Sequence, residues 1–368
     1  MAKEQLVSPD HFLNIVLAND PLIDVRAPVE FAVGSLPGSV NLPLLSDDER
    51  CDVGICYKEK GQEAAIARGN KLVSGRVKEQ RLADWLAYCE QHDHVKLFCS
   101  RGGMRSQIVQ QWILENSGIS VPRLEGGYKR FRAFLIEALL PENIPAIPVL
   151  LGGRTGCGKT ILLHKLPHAV DLEGAAHHRG SAFGGYITPQ PCQVDFENRL
   201  ACQVLEHKSA GFSHMVVEDE GAHIGARYVP YELARYFKRD SMVLLESSMT
   251  RRVERTHQEY VEHAQDEYVQ LYGAERGLVA WFDSMCEKLK RIRKRLGQER
   301  LSFVLGLLEK GYAEQMQGVR TDCHRQWVEF LLHEYYDPMY DYQSKKGGRT
   351  ILFQGGFDEV KEYLLSLV

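Results

Sequence analysis

The chain has 368 residues, enough for two to three domains, and a formal net charge of −4, which excludes binding of nucleic acid by overall charge alone. There is no apolar run of the roughly 18 residues that a membrane-spanning helix needs, and the opening Met-Ala-Lys-Glu-Gln lacks the apolar core of a secretion signal. The nine cysteines are scattered without paired spacing, which points to a reducing compartment and a cytoplasmic location.

Residues 1–140 alternate short strands and helices. Residues 22–26 (Leu-Ile-Asp-Val-Arg) read as a strand ending in charged residues, with Asp24 and Arg26 as an ion pair. Pro28 and Glu30 open a helix that Gly34 closes, and residues 36–43 form a turn and a second strand. This β-α-β spacing predicts a parallel sheet covered by helices. Between Asn41 and Gln80 lies an insert with one short helical segment, residues 61–69, bounded by glycines. Its basic residues Arg50, Lys58, Lys60, Arg68 and Lys71 form a solvated face or an anion contact. Cys51 and Cys56 have no further Cys or His pair to complete a zinc site, and no metal centre is expected.

Residues 95–98 read as a buried strand that ends on Cys99. Ser100, Arg101, Gly102, Gly103, Met104, Arg105 and Ser106 follow, and Ile108, Val109, Trp112 and Ile113 then continue in a helical pattern. A strand end, a tight glycine loop and a helix start let successive N–H groups turn inward around an anion, and the helix adds partial positive charge. Cys99 is therefore a candidate nucleophile, and Arg101, Gly102, Gly103, Arg105 and Ser106 form its nest. Further on, Gly126 and Gly127 mark a turn that the backbone needs.

With these segments in view, residues 8–135 resemble a rhodanese domain. Arg105 lies six residues after Cys99, one more than in common single-domain rhodaneses. The longer loop is similar to that of rhodanese-fold phosphatases and arsenate reductases. It implies a site for phosphate, arsenate or a phosphate carrying a chalcogen.

Three prolines between Pro141 and Pro148 mark a stiff linker and a domain boundary. Residues 147–151 read as a strand running into Gly153, Arg154, Thr155, Gly156, Cys157, Gly158, Lys159 and Thr160, a complete P-loop motif that leads into a helix. The backbone can wrap a phosphate, Lys159 supplies a point charge, and Thr160 can hold Mg²⁺ or a phosphate oxygen. No adenine-recognition signal or arginine finger accompanies the loop, so it predicts phosphate binding more firmly than nucleotide binding. Residues 215–220 form a second strand with an acidic end, Glu218, Asp219 and Glu220, which is compatible with Mg²⁺ bound through water or with solvated carboxylates. Residues 171–184 are polar and glycine-rich and read as a functional loop, with Asp171, His178, Arg179 and Ser181 supporting an anion site. The P-loop α/β domain is expected over 141–250.

Residues 251–368 read as mainly helical and as the expected nucleic-acid contact. Arg251 and Arg252 stand in one basic run. In another, Lys288 to Arg295, six of eight residues are basic, while Leu289, Ile292 and Leu296 share one helix face. The opposite face is a polyanion footprint or a solvated surface, and its candidates are Lys290, Arg291, Arg293, Lys294 and Arg295. Tyr335, Tyr336, Tyr340 and Tyr342 stack on bases or, as favoured here, pack the last helices.

Taken together, the Cys99–Ser106 loop, the P-loop, the 171–181 segment and the Tyr335–Tyr340 cluster resemble the bacterial tRNA 2-selenouridine synthase family over almost the full length. One departure is Ser100, where that family is expected to have tryptophan. The resemblance implies an α/β protein: an N-terminal rhodanese-like parallel sheet with flanking helices, then a P-loop domain with a helical C-terminal region. It implies tRNAs for Lys, Glu and Gln as substrates, modified at wobble 2-thiouridine. Geranyl diphosphate would first alkylate the sulfur, its diphosphate held by Gly153–Thr160. Selenophosphate, held at the Cys99 nest, would then supply selenium. A selenophosphate-supplying enzyme is a candidate partner, and no membrane partner is implied. The alternative is a rhodanese-type phosphatase or sulfurtransferase coupled to a P-loop kinase or ATPase, for which ATP turnover dependent on Lys159 would speak. A binding module with relic loops is a third reading, and the intact Cys99, Arg105, Lys159 and Thr160 weigh against it.

Overall fold

The computed structural model describes residues 5–238, 241–318, 320–347 and 349–368. The chain forms two units, Met1–Ile144 with Cys192–Ser209, and Pro145–Pro191 with Ala210–Val368.

The first unit is built on five strands, β1 (Leu6–Val7), β2 (Leu22–Asp24), β3 (Ser39–Asn41), β4 (Lys96–Phe98) and β5 (Arg123–Leu124). They pair in parallel in the order β1-β5-β4-β2-β3. Six helices alternate with them: α1 (Phe12–Ala18), α2 (Pro28–Val33), α3 (Asp47–Leu72), α4 (Gly75–Gln91), α5 (Met104–Ser117) and α6 (Gly127–Ala138). Ile23, Leu97, Val109, Ile113 and Trp85 form a core between sheet and helices, as parallel strands buried on both faces require. The insert is larger than the short segment predicted for residues 61–69, because α3 and α4 form a helical pair. Helix α3 starts upstream at a capping box, in which Glu49 N donates to Ser46 Oγ (3.3 Å) and Ser46 N donates to Glu49 Oε2 (2.7 Å). Gly61, at φ 82° and ψ −174°, breaks α3 into two helical stretches joined at a kink, so the second begins at the glycine expected to bound the 61–69 segment.

In the second unit β6 (Ile147–Gly152) enters the glycine loop, followed by α7 (Lys159–Leu163), β7 (Ala169–Val170) and α8 (Leu172–Ala176). The 171–184 segment is thus partly helical, not all loop; Leu172, Ala175 and Ala176 are buried, and Gly174 and the histidines dilute their apolar signal. Helix α9 (Gln193–Ala210) then packs on the first unit, although the sequence assigns it to a continuous 141–250 domain. The helix buries Phe196, Leu200, Ala201 and Val204, and polar ties add to this: Ser35 N donates to Asp195 Oδ1 (2.6 Å), Asn198 Nδ2 to Ser35 O (2.6 Å) and Arg132 Nη1 to Asn198 Oδ1 (2.6 Å). Hydrophobic periodicity does not register such anchors.

Back in the second unit come β8 (His214–Glu218), the hairpin β9 (His223–Ile224) and β10 (Arg227–Tyr228), α10 (Tyr231–Phe237) and β11 (Ser241–Leu245). A helical run follows: α11 (Met249–His257), α12 (Ala264–Tyr272), α13 (Ala274–Arg291), α14 (Arg293–Leu296), α15 (Gln298–Met316), α16 (Arg325–Leu331) and α17 (Asp337–Gly347). The chain ends with β12 (Thr350–Gly355) and α18 (Phe357–Leu365). Strand β12 joins the sheet as an edge, in the parallel order β12-β11-β6-β8-β7, so the C-terminal stretch is not wholly helical. Val360 and Leu364 of α18 are fully buried in the same core as β6 and β11. Trp281, Leu289, Leu308, Trp327 and Leu332 form the separate core of the helical run. Among the described residues no helix is long and apolar enough to cross a membrane.

Candidate functional site

Cys99 lies just past the end of β4 and is buried. The loop after it is braced from behind. Tyr128 N donates to Cys99 O (2.9 Å), Lys129 N to Ser100 O (3.0 Å) and the buried Arg123 to Gly102 O (2.5 Å). Gly127 has φ +57°, and a Cβ there would stand 2.2 Å from Cys99 O, so the backbone touches the loop where no side chain fits. On the other side Cys99 Sγ is 3.4 Å from Ser106 Oγ, which donates to Gly103 O (2.9 Å) at the start of α5. Arg105 forms a forked contact with Glu30 (2.6 and 3.1 Å), and Arg50 reaches the same carboxylate at 3.0 Å. Burial pushes the Glu30 carboxyl up, but Arg105 and Arg50 outweigh it and hold the group below its ordinary range. Arg101 is exposed.

Asp24 and Arg26 do form an ion pair. Arg26 Nε donates to both carboxylate oxygens (3.0 and 2.8 Å), Nη2 reaches Gly34 O (2.7 Å), and the guanidinium lies 3.8 Å from the Tyr128 ring centre. The pair fixes the same turn that braces the Cys99 loop. Arg123 and Tyr128 are the supporting residues that the sequence does not reveal, and the Gly126–Gly127 turn is its one signal of them.

In the second unit Lys159 Nζ donates to Gly153 O (2.8 Å), and Thr160 Oγ1 donates to Glu173 Oε2 (3.3 Å). Gly156 packs directly on α11, since a Cβ there would be 2.5 Å from Thr256 Oγ1. Arg252 is buried, donates from Nε to Thr155 O (2.8 Å) and pairs with Asp337 (3.0 and 2.5 Å). Its expected place on a nucleic-acid surface is therefore corrected: it braces the P-loop. Arg255 donates to Cys157 O, and Arg154 reaches Asp337 (3.2 Å) and Asp341 (2.7 Å). The missed signal is spacing, because Arg252, Arg255 and Thr256 fall at i, i+3 and i+4 on one helix face.

Lys159, Thr160, Glu173, Arg179, Glu220 and Arg255 line a cavity of about 1100 Å³. Burial pushes the carboxyls of Glu173 and Glu220 up, and the two share a hydrogen bond. For Lys159, burial acts downward, but Cys157, Glu220 and Glu173 outweigh it and hold the ammonium above its ordinary value. The acidic strand end divides its roles. Glu218 is buried and accepts from Leu172 N (3.1 Å), Asp219 pairs with Arg349 (2.6 Å), and Glu220 faces the cavity. Asp171 caps α8 by accepting from Gly174 N (2.6 Å) and meets His164 at 2.8 Å. Arg179 bonds Glu259 and Glu267 (2.9 Å for the latter) and lies 3.8 Å from the Tyr186 ring centre. Ser181 Oγ meets Tyr260 Oη at 2.5 Å, and burial pulls His178 down, aided by Lys288 and Arg179. Among the described residues no three His, Cys, Asp or Glu side chains group as a metal site.

Arg251, Lys290, Arg291, Arg293, Lys294 and Arg295 are exposed, while Leu289, Ile292 and Leu296 are buried beneath the second run. Tyr335 and Tyr336 pack in the helical core, Tyr340 lines the P-loop cavity, and Tyr342 is exposed.

A family model described as the tRNA 2-selenouridine synthase AAA domain matches residues 146–367, and a rhodanese-like domain model matches residues 8–134. A protein of Sulfurovum sp. named tRNA 2-selenouridine synthase is 47% identical over 98% of this chain and 99% of its own. Proteins of the same name from Hydrogenovibrio crunogenus and Bordetella bronchiseptica are 48% and 46% identical, each over 96% of this chain and over 98% and 96% of their own. Two domain matches in this order and identity over nearly the whole length mean that the chain belongs to the tRNA 2-selenouridine synthase family.

Proposed function

We propose that this tRNA-modifying enzyme converts wobble 2-thiouridine in tRNAs for Lys, Glu and Gln to 2-selenouridine in two steps. In the first, the thiocarbonyl sulfur attacks C1 of geranyl diphosphate. A C–S bond forms, the C–O bond breaks, diphosphate leaves with the electron pair, and the uracil N3 proton passes to solvent. The P-loop N–H groups and Lys159 stabilise the charge that develops on the diphosphate. In the second, selenium of selenophosphate attacks uracil C2 and the C–S bond breaks. Geranyl thiol leaves with a proton, and water cleaves the P–Se bond to give phosphate. Alkylation matters because it turns a poor leaving group into a thiol. The Cys99 nest holds selenophosphate, and Cys99 orients its selenium towards C2. The exposed cations of residues 290–295 hold the tRNA backbone.

The observation that carries this reading is the presence in one chain of two different anion sites, a cysteine-headed loop and a P-loop, each in its own unit. Nucleoside mass spectrometry of 2-thiouridine tRNA tests it. With geranyl diphosphate alone the S-geranyl nucleoside should accumulate, and adding selenophosphate should convert it to selenouridine. Unchanged thiouridine with folded protein would refute the reading.

A further inference from the structure

The first unit contains a cavity of about 1030 Å³ between α3 and the Cys99 side of the unit, at the upper end of the range for small-ligand pockets, roughly 300–1,000 Å³. Leu45, Val53, Ile66, Val73, Ile108 and Trp112 supply apolar walls. The walls continue onto Arg101, Met104 and Arg105 of the segment that follows Cys99, so one end of the cavity borders the Cys99 loop, with the Glu30–Arg105 pair at that end. Ile55 and Tyr57 also line it and are 52% and 58% exposed, large apolar groups left facing solvent on a helix that could have hidden them. A sulfane or phosphate anion needs only the cationic end and makes no use of the apolar remainder. A molecule with a branched hydrocarbon tail and a polar head at the nest uses both.

We propose that this cavity holds the ten-carbon prenyl chain of the S-geranyl nucleoside while selenium displaces its sulfur at the Cys99 nest. The assignment rests on the two-step reading above and deepens it. The chain enters with the tRNA and leaves as geranyl thiol once the C–S bond to uracil breaks, the thiol proton coming from solvent. Fixing the tail fixes the sulfur, and with it the C2 carbon, against the selenium donor. Helix α3 therefore acts as a specificity element for the second step and has no part in the first.

The test uses the full-length enzyme with preformed S-geranyl-2-thiouridine tRNA plus selenophosphate, and in parallel 2-thiouridine tRNA plus geranyl diphosphate. Ile66→Trp fills the cavity, and Ile55→Asp sets a charge in its wall at an exposed position. Each variant is first checked for wild-type-like melting. The expected result is a tenfold or greater fall in selenation rate, carried mainly by KM, with geranylation within about twofold of wild type. Unchanged selenation in both folded variants would overturn the pocket assignment and leave the two-step reading standing. Equal loss of both steps would overturn its restriction to the second step. Failure of the wild type to convert S-geranyl tRNA would overturn the pocket and the two-step reading together.

Discussion

Gly127 shows how much of the Cys99 site depends on atoms that carry no chemistry. Its φ of +57° and the 2.2 Å approach of a would-be Cβ to Cys99 O leave no room for alanine. A left-handed non-glycine residue costs about 1–3 kcal/mol, and the clash adds to it. Gly127→Ala should therefore lower the melting temperature and slow selenation at least tenfold, with geranylation nearly unchanged; a variant with wild-type selenation would show that the turn does not set the loop. At this scale the sequence shows the reactive groups but hides their supports. Cys99, Lys159 and the glycines announce themselves by motif. Arg123 and Arg252 do not, because a buried arginine bound to backbone carbonyls looks in sequence like any surface cation.

Among the elements, the turn at residues 321–324 before α16 carries a built-in acid sensitivity. His324 is fully buried, accepts from Trp327 Nε1 (3.0 Å) at Nδ1 and meets Gln315 Oε1 (2.8 Å) at Nε2, so its ring is held neutral. Burial, with His257 nearby, pulls it from 6.5 down to about 4. The folded value lies below the unfolded one, so the unfolded chain binds the extra proton between them. The stabilisation is complete above pH 6.5 and is lost as pH falls towards 4, by at most about 3 kcal/mol. Denaturant unfolding of the full chain should show stability falling between pH 6.5 and 4.5, with a shallower fall in His324→Gln; equal slopes would assign the acid sensitivity elsewhere. Elements were legible where a local signal stood alone. The strands β2, β4 and β6 are short apolar runs and form as expected, while α8 was hidden by its glycine and histidines and β12 by the helical pattern preceding it. The stretch of α3 before Gly61, which starts at the Ser46–Glu49 capping box, was missed, while the stretch after Gly61 matches the segment that looked helical.

Across the whole molecule, two units each carry a glycine-containing loop at the end of a parallel strand, one headed by Cys99 and one holding Lys159. The order of the two units was readable from motifs and a proline-rich link, whereas the return of α9 to the first unit was not, because its partners, Ser35 and Arg132 among them, lie more than 60 residues away. The division of sites between units is what makes two separable steps the central claim. The most direct measurement pairs two variants against two substrates, read by nucleoside mass spectrometry. Cys99→Ala with 2-thiouridine tRNA, geranyl diphosphate and selenophosphate should stop at the S-geranyl nucleoside. Lys159→Ala should leave 2-thiouridine untouched yet convert preformed S-geranyl tRNA to selenouridine. Loss of both steps in either folded variant would contradict the account.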